Sequence, residues 1–482
     1  MQYSNLKREA AYINGAWVTA DDGAVMAVIN PADGKLIANV PDLGVASARA
    51  AIDAANVAFT SWKHTTARAR AELLRRWHDL IVEHADQLAR LLTLEQGKPL
   101  REAKGEVLSA ASFFEWYAEE AKRTYGENIP SNSRRTRLLT IKQPIGVVAA
   151  ITPWNFPISM IARKAAPAIA AGCTIVIKPA EDTPLCALAL AALAEDAGIP
   201  AGVINVVTTA RPVEVGRELC THPVVRKVSF TGSTPVGKVI LSLAAQTVKK
   251  ASMELGGNAP FIVFDDADLE SAVAGALVSK YRNAGQTCIC TNRIYVQSGL
   301  YERFVARYQQ EVEKLRLGAG SDDSTDIGPL INDAAVAKID GLVRRALEQG
   351  AVLNSGGYPV SQGQRFYQPT LLTEVDESME IAHAELFGPV STVFRFDSEE
   401  EVIARANATP YGLAAYVYSR DIGRVWRVSE GLEFGMVGVN EGMISNELTP
   451  FGGVKESGLG REGSRHGIDD YLELKYICMG GI

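Results

Sequence analysis

Gly146-Val147-Val148-Ala149-Ala150-Ile151-Thr152-Pro153-Trp154-Asn155 decides the fold. An apolar run stops at Thr-Pro-Trp-Asn, and a helical pattern follows to Ala171. The unit then recurs. Residues 174–177 precede a helix over 184–197, 203–207 precede a helix ending at Cys220, and 227–230 precede a helix over 235–245. Strands alternating with helices at this pitch make βαβ units and a parallel sheet. Ligands of such sheets bind outside the carboxyl ends of the strands. The residues just after each strand are therefore the first candidates: 152–155, Lys178-Pro179-Ala180-Glu181 and Thr231-Gly232-Ser233. They gather polar and charged groups at one end of the sheet, as a nucleotide site needs.

On the N-terminal side, residues 12–40 read as short strands with turns at Ile13-Asn14-Gly15 and Pro31-Ala32-Asp33-Gly34. Residues 45–125 carry a helical period broken at Gly97-Lys98-Pro99. The polar, strand-like stretch 126–143 reads as an excursion from the main domain. Beyond Glu254 a second α/β portion begins with the strand Phe261-Ile262-Val263-Phe264 and a helix over 269–281. Residues 333–349 read as a helix, 351–353 and 392–396 as strands, and Val437-Gly438-Val439-Asn440 as another strand. The tail from Tyr471 to Tyr476 alternates apolar and polar, which fits an edge strand pairing with something, another subunit included.

The 482 residues, 47% hydrophobic and 22% charged, suit a globular chain of two or three domains. A net charge of −7 argues against a nucleic-acid partner. No signal-peptide core or membrane-length apolar run is present, and six Cys in so long a chain suggest a reduced, cytoplasmic protein. No His lies at metal-ligand spacing, so no metal is expected.

Ala284-Gly285-Gln286-Thr287-Cys288-Ile289-Cys290 places a thiol on a Gly-containing turn between helix and strand. Such a Cys is either a nucleophile or a small packed side chain. Phe230-Thr231-Gly232-Ser233-Thr234-Pro235-Val236-Gly237 leaves a strand and opens a helix. It is not G-x-G-x-x-G, and reads either as a phosphate cradle at a helix N-terminus or as a plain turn. Lys178 and Glu181 stand where a Rossmann-type fold reads a ribose, or where Glu181-Asp182-Thr183 merely caps a helix.

Seven segments, in order, resemble the aldehyde dehydrogenase superfamily: Pro153-Trp154-Asn155-Phe156-Pro157, Lys178-Pro179-Ala180-Glu181, Phe230-Thr231-Gly232-Ser233, Met253-Glu254-Leu255-Gly256-Gly257, Gly285-Gln286-Thr287-Cys288, Glu385-Leu386-Phe387-Gly388-Pro389 and Pro450-Phe451-Gly452-Gly453. Within it, Leu94-Glu95-Gln96-Gly97-Lys98-Pro99-Leu100, the 282–290 stretch and Gly458-Leu459-Gly460-Arg461-Glu462-Gly463 look like succinate-semialdehyde dehydrogenases.

The resemblance implies an α/β fold with a Rossmann-type cofactor domain (1–122, 144–254, 455–468), an α/β catalytic domain (255–454) and β oligomerisation strands (123–143, 469–482). It implies a dimer or tetramer without membrane or nucleic-acid partners. It implies Cys288 as nucleophile, Asn155 and the Cys288 N–H as oxyanion donors, and Glu254 as base for thioester hydrolysis. It implies NAD or NADP held by Trp154, Lys178, Pro179, Ala180, Glu181, Gly232, Ser233, Thr234, Gly237, Leu255, Glu385 and Phe387, with NAD preferred because Glu181 repels a 2′-phosphate. Arg163, Arg282 and Ser445, with Phe156 and Phe451, would bind the substrate and its distal carboxylate. Otherwise the two Arg pair with carboxylates of the protein, and Arg163-Lys164 is a cationic helix face. Glutarate or 2-oxoglutarate semialdehyde is an alternative substrate, and a cofactor-free esterase an alternative activity. Cys290 is either packing or a resolving thiol for oxidised Cys288.

Overall fold

The computed structural model describes residues 6–360 and 365–481. Two large sheets carry the chemistry. In the first, the strand order is Gly458–Leu459, Lys250–Glu254, Val225–Thr231, Val147–Ile151, Thr174–Lys178, Ile204–Val206, Ala11–Ile13, Ala16–Val18. The five strands from Lys250–Glu254 to Ile204–Val206 run parallel, and antiparallel strands close both flanks. Val147–Ile151 is the earliest of the five and lies mid-sheet. The chain builds outward from it on one side, then returns to build on the other. The order therefore reverses between Val147–Ile151 and Val225–Thr231, which opens a crevice where their connections part in opposite directions.

Val147–Ile151 and Thr174–Lys178 are buried at every residue, as expected of strands covered on both faces. Helix Pro157–Ala171, between them in sequence, is also buried throughout, Arg163 and Lys164 included. It packs on helix Leu100–Glu120 and on helix Pro184–Asp196. The reading of Arg163-Lys164 as a solvated cationic face is therefore wrong: the whole helix is covered.

The chain passes from Glu254, at a carboxyl end of the first sheet, into Ala259–Val263 of the second through 255–258. The second sheet runs Val352–Ser355, Thr370–Thr373, Val390–Phe396, Thr291–Gln297, Ala259–Val263, Ala414–Tyr418, Met436–Val439, parallel apart from the first strand. Cys288 precedes Thr291–Gln297, so it stands at an amino end of this sheet. Carboxyl ends of one sheet thus face amino ends of the other, and the site lies between.

The excursion forms a third sheet from Asn128–Ile129, Thr136–Pro144 and Leu472–Gly480. The alternating tail pairs within its own chain, Leu472 opposite Pro144 through to Gly480 opposite Thr136. Leu474, Tyr476 and Met479 stay exposed on it. The helical stretch 45–125 is four helices, Val45–Trp62, Ala67–Glu83, Ala85–Gln96 and Leu100–Glu120, followed by one 3-10 turn. Two of the breaks, at Thr66 and His84, lie inside the stretch that reads as helical up to Gly97. Among the described residues no helix is long and apolar enough to cross a membrane.

Candidate active site

Two cavities meet at Cys288. The first, of about 380 Å³, occupies the crevice where the strand order reverses. Trp154 and Asn155 line it from one strand end, and Thr231, Gly232 and Ser233 from the other. Leu255, Glu385, Phe387, Lys338 and Asn332 complete it. Trp154 and Phe387 meet edge to face with centroids 5.6 Å apart. Glu385 Oε1 accepts from the Gly257 N–H at 3.0 Å. Burial pushes the Glu385 carboxyl up to about 7, against that N–H and the Lys338 charge. A half-buried carboxylate lining the cleft fits a ribose hydroxyl.

Thr234 and Gly237 stand behind this wall. Thr234 Oγ1 donates to Glu456 O and accepts from Gly256 N, both at 3.2 Å, and Gly237 packs on the Leu255 side chain. Lys178, Pro179, Ala180 and Glu181 follow the next strand and lie outside the cavity lining. Lys178 Nζ donates to Glu181 Oε1 at 2.7 Å and to Pro179 O at 3.0 Å, which leaves the Glu181 carboxylate 38% exposed and aimed by its partner.

The second cavity, of about 350 Å³, reaches Cys288 from the opposite side. Phe156, Arg163, Arg282, Ser445 and Phe451 all line it. Arg163 is 5% exposed and lies on the Phe451 ring at 4.2 Å. Its Nη2 donates to Ser445 Oγ at 2.6 Å, while Nε and Nη1 have no hydrogen-bond partner among the described residues. Its one ion pair, Nη1 to Glu462 Oε2, spans 3.9 Å. Arg282 lies over Phe156 at 5.3 Å and, among the described residues, has no carboxylate within ion-pair distance. Two guanidinium groups with spare donors in one cavity fit an anion brought in from outside.

The nucleophile's loop is held by backbone contacts. Asn155 Nδ2 donates to Gln286 O at 3.0 Å, and Cys290 N to Thr287 O at 3.0 Å. A Cβ on Gly257 would come within 2.4 Å of Cys288 O, so only glycine lets the inter-sheet segment pass so close. Burial first, then the Glu254 charge, pushes the Cys288 thiol up to about 12, against Arg163 and Arg282. Cys290 lines neither cavity; its thiol donates to Lys280 O at 3.4 Å.

Glu254 lies behind Cys288, against Gly452, 3% exposed and outside both cavity linings. Its Oε2 has no partner. Burial raises this carboxyl well above the usual range, the Glu462 charge raises it further, and Lys164, Arg163 and Arg461 oppose. Lys164 Nζ donates to Glu462 Oε1. Lys164 and Glu462 escaped the sequence reading as a unit; the available signal was two adjacent cations in an otherwise apolar helix.

The raised thiol has a direct test. Well below its pKa the thiolate fraction rises about tenfold per pH unit. Alkylation of Cys288 by iodoacetamide in cofactor-free protein should therefore climb steadily between about pH 7 and 9. A rate that levels off below about pH 8 would mean the thiolate forms without help.

The model of the aldehyde dehydrogenase family matches residues 17–477. The chain is 59% identical to the 3-sulfolactaldehyde dehydrogenase of Pseudomonas putida over 478 residues, 99% of this chain and 98% of that protein. It is 58% identical to the NADP(+) succinate-semialdehyde dehydrogenase of Escherichia coli (strain K12) over 477 residues, 99% of each. A crystal structure of an NADP-dependent enzyme from E. coli superposes with a TM-score of 0.98 at 57% identity, covering 99% of both chains.

Proposed function

The chain belongs to the aldehyde dehydrogenase family, and from that premise we propose that it oxidises succinate semialdehyde to succinate with NAD(P). The observation that carries the substrate is the pair of guanidinium groups, Arg163 and Arg282, with spare donors in the cavity that ends at Cys288. Both relatives are named for aldehydes with an anion at the far end, a sulfonate in one and a carboxylate in the other. Another carboxylate-bearing semialdehyde, such as glutarate semialdehyde, meets the same requirement.

Bound NAD(P) supplies the hydride acceptor. The first cavity suits it: an apolar slot at the strand-order reversal, a helix N-terminus at Ser233-Thr234, and the half-buried Glu385. We assign the cofactor to segments 1–122, 144–254 and 455–468 and the chemistry to 255–454. Cys288 attacks the aldehyde carbon; the Asn155 amide and the Cys288 N–H hold the developing oxyanion. Loss of hydride leaves a thioester on Cys288. Glu254 then takes a proton from the water that hydrolyses it, and the burial that raises its carboxyl makes it a stronger base. A panel of ω-carboxy aldehydes of increasing length tests the reading. The four-carbon member should give the highest kcat/KM; a maximum on a neutral aldehyde would reject it.

NAD is proposed as the better cofactor, although one relative is named for NADP(+) and the E. coli crystal structure is of an NADP-dependent enzyme. Glu181, held by Lys178, can accept from ribose hydroxyls and repels a 2′-phosphate. Glu181→Ser should shift the NAD/NADP ratio of kcat/KM by about tenfold toward NADP. Wild type favouring NADP would overturn this. The six cysteines are all free thiols, which supports a reducing, cytoplasmic setting, and the exposed apolar residues on the third sheet support a homo-oligomer.

A further inference from the structure

The nucleophile's loop opens with three consecutive left-handed residues: Asn283 (φ 53°, ψ 36°), Ala284 (φ 55°, ψ 30°) and Gly285 (φ 75°). Gly285 adopts this freely, but the other two are held against a steric penalty. Glu102 Oε2 accepts from the Asn283 N–H at 2.8 Å and Gln286 Nε2 donates to Asn283 O at 3.1 Å, but the Asn283 side chain alone reaches both halves of the site. Asn283 is 1% exposed. Its Nδ2 donates to Asn155 O at 3.0 Å and to Gln286 O at 3.1 Å, and its Oδ1 accepts from Gln96 Nε2 at 2.9 Å. Both N–H groups are used, so the amide cannot turn without leaving buried groups unpaired. Asn155 O takes a second donor, Lys98 Nζ at 2.7 Å.

The consequence is geometric. Asn155 lies on the loop after strand Val147–Ile151 of the first sheet, and Gln286 lies two residues before Cys288 at the edge of the second. Asn283 grips the backbone of both. We infer that Asn283 is a positioning residue: it fixes the Asn155 amide relative to Cys288, so that the oxyanion donor and the nucleophile keep one separation as substrate enters. This rests on the roles given to Asn155 and Cys288 above. The competing account is that position 283 needs only a residue tolerant of positive φ, a property Asn has more than most.

Glycine separates the two accounts. Asn283→Gly keeps the left-handed backbone and removes the grip. Asn283→Asp keeps the shape and the bond from Gln96, but turns an acceptor toward Asn155 O and Gln286 O. The readouts are the single-turnover rate of cofactor reduction with aldehyde and the rate of Cys288 alkylation by iodoacetamide, which needs the thiol but no oxyanion donor. Both variants should lose about a hundredfold in cofactor reduction while alkylation stays near wild type. Asn283→Gly reducing cofactor at the wild-type rate would overturn the inference, as would alkylation falling in parallel with reduction. Wild type that reduces no cofactor at all would instead overturn the proposed function, and this inference with it.

Discussion

Glu254→Gln is expected to produce about one reduced cofactor per active site and then stop, with steady turnover down about a thousandfold. The substitution is isosteric and leaves the site's shape, but an amide cannot accept a proton from water. The first half of the reaction survives for an electrostatic reason. Glu254 is the largest charge holding the Cys288 thiol up, so its removal makes the thiol more acidic. Attack and hydride loss then proceed, and the thioester accumulates. Cys288→Ala should abolish the burst as well as the turnover. Stopped-flow absorbance of the reduced nicotinamide reads both phases. Turnover near wild type in the Gln variant would remove Glu254 from the base role.

The route to this site was legible where local pattern and topology coincide. The run 147–151 ending in Thr-Pro-Trp-Asn marks a strand end, and the reversal of strand order beside it makes that end a crevice. Trp154, Asn155, Gly232 and Ser233 follow from that rule alone. What escaped depends on contacts between distant segments. Lys164 meets Glu462 across 298 residues, and nothing local in either segment announces the partner. The same holds for Gln96 and Asn283, 187 residues apart. The left-handed Ala284 was unreadable for another reason: alanine has no preference for that conformation, and tertiary hydrogen bonds impose it. The alternating tail announced an edge strand, but alternation carries no information about the partner, which is the 136–144 strand of the same chain.

Replacing either guanidinium, as Arg163→Met or Arg282→Met, is expected to raise KM for succinate semialdehyde about ten- to a hundredfold, the equivalent of about 1.4–2.8 kcal/mol. Methionine keeps bulk and apolar contact while removing charge and donors. Both Arg also lower the Cys288 pKa, so each variant loses some nucleophile at neutral pH and slows every aldehyde. That second effect cancels in a ratio. The kcat/KM for succinate semialdehyde divided by that for butanal, a neutral aldehyde of the same length, isolates recognition of the carboxylate. The ratio should fall about ten- to a hundredfold in each single variant. In the double variant the sum of the two losses is the lower bound, because each single variant leaves the other guanidinium to hold the anion. Ser445→Ala should act in the same direction but more weakly. Its hydroxyl accepts from Arg163 Nη2 and so aims a cation more than it supplies one. A ratio unchanged in both single Arg variants, with both substrates slowed equally, would mean the two cations only activate the thiol. The distal anion would then have to be bound by other groups in the cavity.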